Sequence, residues 1–205
     1  DAVATASADG SKVMVAASDG NVLLYDASVG DFTVSRQDFP GLKGSYAATP
    51  GLFAVDNHLL DASLVPIADM DSSGGGASGF VFAAGGAVRT GGIDRPNSGF
   101  IERVDLSSGA AITPIPSVEA PLLTTPRSQS SPSKFTRGLA ALVFRSGYVS
   151  LSTSGVTVFS GDYDAPVPQP VISRIVSAAD LKSGVASGGL ISVLGSNLSA
   201  TSIAS

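Results

Sequence analysis

Two apolar runs separated by an Asp-Gly turn, in the stretch SKVMVAASDGNVLLYDAS, constrain the fold most. Val13–Ala17 and Val22–Tyr25 each have the length and apolar composition of a short strand. The Asp-Gly pair at 19–20 favours the positive φ that a tight hairpin turn needs. Another Asp-Gly pair, at 9–10, precedes the first run. The sequence therefore predicts an antiparallel hairpin here, and few segments elsewhere show the periodicity of a helix.

Composition extends this prediction to the whole chain. The 205 residues are 43% hydrophobic and only 14% charged, with 24 glycines and 12 prolines. Such a mixture supplies a core and many tight turns, whereas disorder needs low hydrophobicity and high net charge. We therefore expect an all-β protein.

Charge and cysteine usage exclude several kinds of partner. The net charge is −5, and the 12 basic residues are spread singly, so we expect no nucleic-acid partner. No run approaches the roughly 18 apolar residues of a membrane span. Because the chain has no cysteine, disulfides and thiolate ligands are excluded.

An internal repeat gives the fold class more detail. The segments LLYDASVG (23–30), LLDASLVP (59–66) and RVDLSSGA (103–110) each place an aspartate after an apolar pair and before a small polar turn. We expect these aspartates to accept hydrogen bonds from the backbone of their own turns, which is a structural role. A related hairpin spans 138–162. A period of about 40 residues, with three or four short strands per unit, is the size of a β-propeller blade.

The first unit carries a family resemblance. Ser7, the two Asp-Gly pairs, Tyr25-Asp26 and Gly30 resemble the blades of bacterial β-propellers with YVTN- or WD-like repeats. The resemblance covers residues 3 to 164 and implies a propeller-like array of about four blades. The chain has no tryptophan, so the WD dipeptide is absent. The alternative fold is a β-sandwich throughout, which has similar turn spacing.

A proline-rich stretch, APVPQP, predicts a boundary, because successive prolines stiffen an extended linker. We expect a propeller-like domain at 1–164, a linker at 165–171 and the truncated start of another domain at 172–205. The segment VISRIVSAADLKSGVASGGLISVLGSNLS resembles the start of the Solibacter-type C-terminal domain of exported acidobacterial proteins, and also immunoglobulin-like TIG modules. The resemblance implies the first strands of a β-sandwich. With Asp1 as its first residue, the chain is expected to be a fragment of a larger exported bacterial protein.

One stretch has the spacing of a metal site. Asp69 and Asp71 match the first half of a calcium loop, because carboxylates at alternate positions can converge on one hard cation. Phe80 stands where the bidentate glutamate of such a loop belongs. Calcium is thus the one cofactor that the sequence suggests, and the alternative is an acidic surface loop.

The patterns that could indicate catalysis are weaker than the calcium-loop pattern. His58 is the only histidine, and we expect it at a solvated hairpin turn. Ser131 and Lys134 have the spacing of an acyl-transfer pair, but Pro132 interrupts the helix that such a pair needs. No catalytic residue is assigned. We therefore expect a non-catalytic, extracellular or periplasmic scaffold that binds a protein or carbohydrate at the cell surface. The alternative is part of a secreted hydrolase or lyase that acts on polysaccharide.

Overall fold

The computed structural model describes residues 1–70, 76–83, 86–92, 99–117, 134–142, 146–165, 169–184 and 186–198. These residues form 18 strands in five sheets, with no helix among them. None of the sheets formed by this part of the chain closes into a barrel. The all-β prediction is confirmed. None of the described residues belongs to a helix long and apolar enough to cross a membrane.

The first sheet is an antiparallel meander whose strands follow chain order. Its strands are β1 (Ala2–Ala6), β2 (Lys12–Ala17), β3 (Val22–Asp26) and β4 (Asp31–Arg36). The predicted hairpin is confirmed, because β2 and β3 pair with Ala16 opposite Val22. Gly20 has a φ of 95°, and a Cβ there would lie 1.9 Å from the carbonyl oxygen of Phe39. Only glycine fits this turn.

Three further sheets follow, and two of them repeat the meander. The second sheet contains β5 (Gly44–Ala48), β6 (Phe53–Val55), β7 (His58–Leu60) and β8 (Pro66–Asp69). The third contains β9 (Ala77–Ala83), β10 (Gly86–Gly92), β11 (Gly99–Val104) and β12 (Ala111–Ser117). The fourth contains β14 (Leu139–Leu142), β15 (Gly147–Ser152) and β16 (Gly155–Ser160).

A two-residue strand, β13 (Phe135–Thr136), extends the second sheet. It pairs in parallel with β5, with Phe135 opposite Gly44 and Thr136 opposite Ser45. The sheet order is therefore β13-β5-β6-β7-β8. The first strands of successive sheets also lie close to one another, since β5 contacts both β1 and β9, and β9 contacts β14.

The apolar core lies between successive sheets. Three buried clusters fill the spaces between the first and second, the second and third, and the third and fourth sheets. In β6, Phe53 and Val55 belong to the first cluster, whereas Ala54 belongs to the second. In β10, Ala87 belongs to the second cluster and Val88 to the third. Because side chains alternate along a strand, both faces of the two middle sheets are covered.

The chain divides into two compact units, Asp1–Asp164 and Ala165–Ser205. In the second unit, β17 (Val171–Ser177) pairs with β18 (Ile191–Ser196) as an antiparallel hairpin. The predicted strand within GGLISVLGSNL is therefore present. Val176 is fully buried, whereas Ile172, Leu190 and Ile191 are exposed.

Candidate functional site

The three repeated aspartates close their own turns, as predicted. The Oδ1 atom of Asp26 accepts the N–H of Ser28 at 2.9 Å. Asp61 accepts the N–H of Ser63 at 2.8 Å, and Asp105 accepts that of Ser107 at 2.9 Å. Their carboxylates are engaged in local structure.

Asp26 has an additional cationic partner. The Lys12 ammonium donates to its Oδ2 atom across the β2–β3 pair, where the two residues are register partners. This hydrogen bond, followed by those from Ser28, lowers the pKa of the Asp26 carboxyl to about 2. The charged form of Asp26 is therefore favoured in the folded state.

The predicted calcium loop is only partly described. Asp69 ends β8, and its Oδ1 atom lies 2.7 Å from Nδ1 of His58, its register partner on β7. Asp71 lies outside the described residues. No group of three or more metal-ligating side chains occurs among the residues that the structure describes. The carboxylate of Asp69 is thus engaged by an imidazole.

The single histidine does not lie at the tip of the turn. His58 begins β7, and its ring packs beside that of Phe39 with the centroids 5.2 Å apart. The turn itself is formed by Asp56 and Asn57, and Asp56 has a positive φ of 54°. Burial raises the pKa of Asp56, and Coulombic interactions with Lys43 and His58 oppose this rise. His58 thus contacts Asp69 across the β7–β8 pair, and Asp56 lies in the turn before it. Ser131, the other residue weighed for catalysis and not assigned, lies outside the described residues.

An arginine of the third sheet binds the chain that follows the fourth sheet. Arg103 donates from Nε to Asp164 Oδ2 at 2.6 Å and from Nη2 to Asp164 Oδ1 at 2.8 Å. Its Nη2 also donates to the carbonyl oxygen of Gly161 at 2.6 Å, and its guanidinium lies 5.4 Å from the ring centroid of Tyr163. The paired carboxylate raises the pKa of Arg103, and burial raises the pKa of Tyr163 to about 12. This group of contacts joins two sheets.

A buried ion pair lies within the third sheet. Arg89 and Glu102 are opposite each other on β10 and β11, both are buried, and the guanidinium donates to the carboxylate. The Arg89 guanidinium also lies 5.9 Å from the ring centroid of Phe100. Removing either partner would leave a buried charge uncompensated, so the pair should be costly to break.

Two apolar surfaces of the first unit belong to its first and fourth sheets. The first sheet turns one face toward the first buried cluster, and no buried cluster formed by the described residues covers its other face. We call this other surface the first-sheet face; from the strand alternation and register, its residues are Ala2, Ala4, Ala6, Val13, Val15, Ala17, Leu23, Tyr25, Phe32 and Ser35. None of them belongs to a buried cluster, and Phe32 is 52% exposed.

The fourth sheet has a matching surface on its opposite side. This fourth-sheet face consists of Ala140, Leu142, Gly147, Val149, Leu151, Val156, Val158 and Ser160. Val156 and Val158 are 62% and 65% exposed, whereas Leu139 and Tyr148 on the other side of the sheet are buried. Neither face carries a charged side chain.

Pattern reasoning could have found part of these surfaces. The alternation of Val13 and Val15 with Met14 shows two apolar faces in β2. An apolar pattern on both faces normally predicts that both are covered. Only the packing of the sheets shows that one of them is free.

Comparisons with known proteins give little beyond this geometry. No family model matches the chain, and no curated protein matches it. Among solved structures, the chain is similar to the crystal structure of the computationally designed Ika4 protein, with 12% sequence identity and a TM-score of 0.49. The match covers 77% of this chain and 88% of that chain.

Proposed function

We propose that the chain is a non-catalytic interaction scaffold that binds a partner through the first-sheet face and the fourth-sheet face. One observation carries this proposal: the first and fourth sheets each present an apolar face that no buried cluster of the described residues covers, whereas the faces between successive sheets contribute to the three clusters. Contiguous apolar surface of this kind marks interaction sites on soluble proteins.

The finer fold that we propose is an array of four β-propeller-type blades within residues 1–164. Two observations support it. The first three sheets contain antiparallel four-stranded meanders, as blades do. The first strands of successive sheets, β1, β5, β9 and β14, also lie side by side in that order, which is expected when the first strand of each blade is nearest a common axis.

The chemistry of the two faces favours a protein partner. Their side chains are mainly alanine, valine and leucine, with one tyrosine, one phenylalanine and a single serine on each face. A carbohydrate needs several polar groups at fixed positions, and a nucleic acid needs basic ones. A second β-sheet with an apolar face needs neither, because sheets stack through interdigitating apolar side chains.

The polar groups of the described residues support a structural role. Asp26, Asp61 and Asp105 close turns, and Arg103 joins two sheets through Asp164. From the resemblance of 171–198 to the start of a C-terminal domain, we further propose that the scaffold belongs to an exported bacterial protein and works outside the cytoplasm.

Lysine substitutions separate an interaction surface from a folding core. We expect the double variant Val15→Lys/Val158→Lys to keep its β-sheet circular dichroism and to lose no more than about 1 kcal/mol in urea unfolding, because both lysines can remain in water. The matched control is Val88→Lys, which buries an unpaired charge between the third and fourth sheets and should cost about 3 kcal/mol or more. If the double variant unfolds as Val88→Lys does, the faces belong to the core and the proposal fails.

A further inference from the structure

Two buried hydroxyl groups lie side by side where β13 joins the second sheet. Ser45 on β5 is fully buried and Thr136 on β13 is 8% exposed, and the two are register partners in the parallel pair. Neither hydroxyl oxygen has a hydrogen-bond partner in the part of the chain that the structure describes. Because buried hydroxyls in folded proteins are almost always hydrogen-bonded, these two groups need a partner.

The two side chains point to the same side of the second sheet. In β5, Tyr46 packs against the first buried cluster and Ala47 against the second, so the alternation places Ser45 on the side of the third sheet. In β13, Phe135 packs against the first cluster, with its ring centroid 6.1 Å from that of Tyr46. Thr136 is therefore also turned toward the third sheet, and its hydroxyl shares one face with that of Ser45.

Backbone hydrogen bonds fix the position of Ser45 relative to β13. The N–H of Gly44, the residue before Ser45, donates to the carbonyl oxygen of Lys134 at 2.9 Å. From the turn after β6, the N–H of Asp56 donates to the carbonyl oxygen of Ser45 at 2.9 Å. Moving Ser45 away from Thr136 would therefore break hydrogen bonds of the sheet.

The third sheet lies in front of the two hydroxyls. Its first strand, β9, contacts β5, and two residues after Thr136 the N–H of Gly138 donates to the carbonyl oxygen of Ser78 on β9 at 2.9 Å. The buried hydroxyl of Ser78 is already engaged, because it lies 3.2 Å from the carbonyl oxygen of Thr90 and 3.3 Å from its hydroxyl. Since Ser45 is fully buried, the partner of its hydroxyl has to be small and shielded from bulk solvent.

We propose that Ser45 and Thr136 bind one buried water molecule, which bridges their hydroxyl groups. Each hydroxyl can both donate and accept, and a buried water typically makes about three hydrogen bonds to polar groups that lack another partner. Calcium takes about six to eight oxygen ligands, usually including carboxylates, and two uncharged hydroxyls do not provide such a shell. The bridge fastens β13, a strand of two residues, to β5. This inference does not depend on the proposed function, because the water lies on neither the first-sheet face nor the fourth-sheet face.

The primary experiment counts the long-lived water molecules of the full chain by oxygen-17 magnetic relaxation dispersion. The double variant Ser45→Ala/Thr136→Val removes both hydroxyls, and valine keeps the branched shape of threonine. We expect this variant to lose one long-lived water relative to the wild type and to keep its β-sheet circular dichroism. Ser7→Ala is the matched control, because Ser7 is 4% exposed but its hydroxyl donates to Oδ1 of Asp9 at 2.6 Å. This control should keep the wild-type number of waters.

A crystal structure of the wild type locates the water directly. We expect an electron-density peak at hydrogen-bonding distance, about 2.5–3.0 Å, from both hydroxyl oxygens. A direct hydrogen bond between the two hydroxyls, with no water beside them, would overturn the proposal. Equal numbers of long-lived waters in the wild type and the folded double variant would also overturn it. If the double variant does not fold, the crystal structure of the wild type decides.

Salt composition distinguishes a water from a bound cation. We expect the difference in unfolding temperature between the wild type and the double variant to be the same in sodium, potassium and choline chloride of equal ionic strength. Added calcium chloride should leave this difference unchanged as well. A difference that depends on the cation would identify a metal ion between the hydroxyls and would overturn the proposal.

Hydrogen exchange tests whether the bridge fastens β13. The amide of Gly44, which donates to Lys134, should exchange with deuterium faster in Ser45→Ala/Thr136→Val than in the wild type. In Ser7→Ala it should exchange at the wild-type rate. An unchanged rate in the double variant would contradict the fastening role of the water.

Discussion

At the scale of single residues, charged side chains mainly secure local geometry. Asp26 illustrates this use, because it closes the turn after β3 through Ser28 and pairs with Lys12 across the hairpin. The turn role follows from the sequence alone, since aspartate before small polar residues closes its own turn. The pairing with Lys12 depends on the register of β2 against β3, and the hairpin turn sets that register.

Acid titration should reveal the contribution of Asp26. Its pKa is about 2 in the folded chain, below the ordinary value of 3.8. The stabilisation is therefore present above about pH 4 and is lost as the pH falls toward 2. We expect Asp26→Asn to lower the free energy of unfolding at pH 7 and to weaken its dependence on pH between 4 and 2, as measured by urea unfolding monitored by circular dichroism.

A matched control is available at the equivalent turn of the third sheet. The pKa of Asp105 is also lowered, first by the N–H of Ser107, but no cation is among the causes. Asp105→Asn should therefore change the acid dependence less than Asp26→Asn does. If the free energy of unfolding depends on pH in the same way for the wild type and Asp26→Asn, the contact with Lys12 contributes nothing to stability.

At the scale of strands, glycines permit close approaches that no other residue allows. Gly79 in β9 lies against the start of β14, and a Cβ there would be 2.5 Å from both Cβ and N of Leu139. Gly138 donates its N–H to the carbonyl oxygen of Ser78 at 2.9 Å, which fixes the same contact. These two glycines determine how closely the third and fourth sheets approach at their first strands.

Replacing Gly79 should therefore separate two strands. We expect Gly79→Ala to destabilise the chain by about 1–3 kcal/mol, because the added methyl group meets backbone and forces a shift. Gly51→Ala is the control, since a Cβ at Gly51 would have no neighbour within 4 Å and the φ of this residue is not positive. Its effect should be within about 0.5 kcal/mol. Equal urea midpoints for the two variants would mean that the β9–β14 contact is not tight.

Strands differ in how far the sequence predicts them. The β2–β3 hairpin follows from an Asp-Gly turn between apolar runs. The pairing of β13 with β5 does not, because Phe135–Thr136 is only two residues long and its partner, Gly44–Ala48, lies far away in the chain. No local pattern specifies a parallel pairing across that separation.

At the scale of the whole molecule, the core belongs to the first unit. All three buried clusters lie between Asp1 and Asp164. The second unit consists of a hairpin with many exposed apolar residues, and an isolated two-stranded hairpin is at best marginally stable. The stability of the first unit should therefore not depend on residues 171–205.

Truncation tests this expectation. A chain that ends at Pro170 should keep its β-sheet circular dichroism and unfold at nearly the same temperature as the full chain. A chain that ends at Ser160 is the matched control. It removes Tyr163 and Asp164, which contact Arg103, and should unfold at a lower temperature. The expectation fails if ending the chain at Pro170 lowers the unfolding temperature as much as ending it at Ser160 does.

The candidate site was only partly foreseeable. The sequence singled out Asp69, but not its cross-strand partnership with His58, which depends on the pairing of β7 with β8. The apolar residues of β2 were predicted to be a strand, but not to contribute to a free surface. Both features arise from contacts between elements, which a local pattern does not record.

The sequence by itself determined the all-β class, the hairpin at Val13–Tyr25 and the structural role of Asp26, Asp61 and Asp105. These features depend on side-chain alternation and turn chemistry, which act over a few residues. The tertiary structure decided which sheet faces pack on one another and which two remain free. That outcome depends on how whole sheets stack, because a face that is apolar in sequence becomes core or binding surface only according to what covers it.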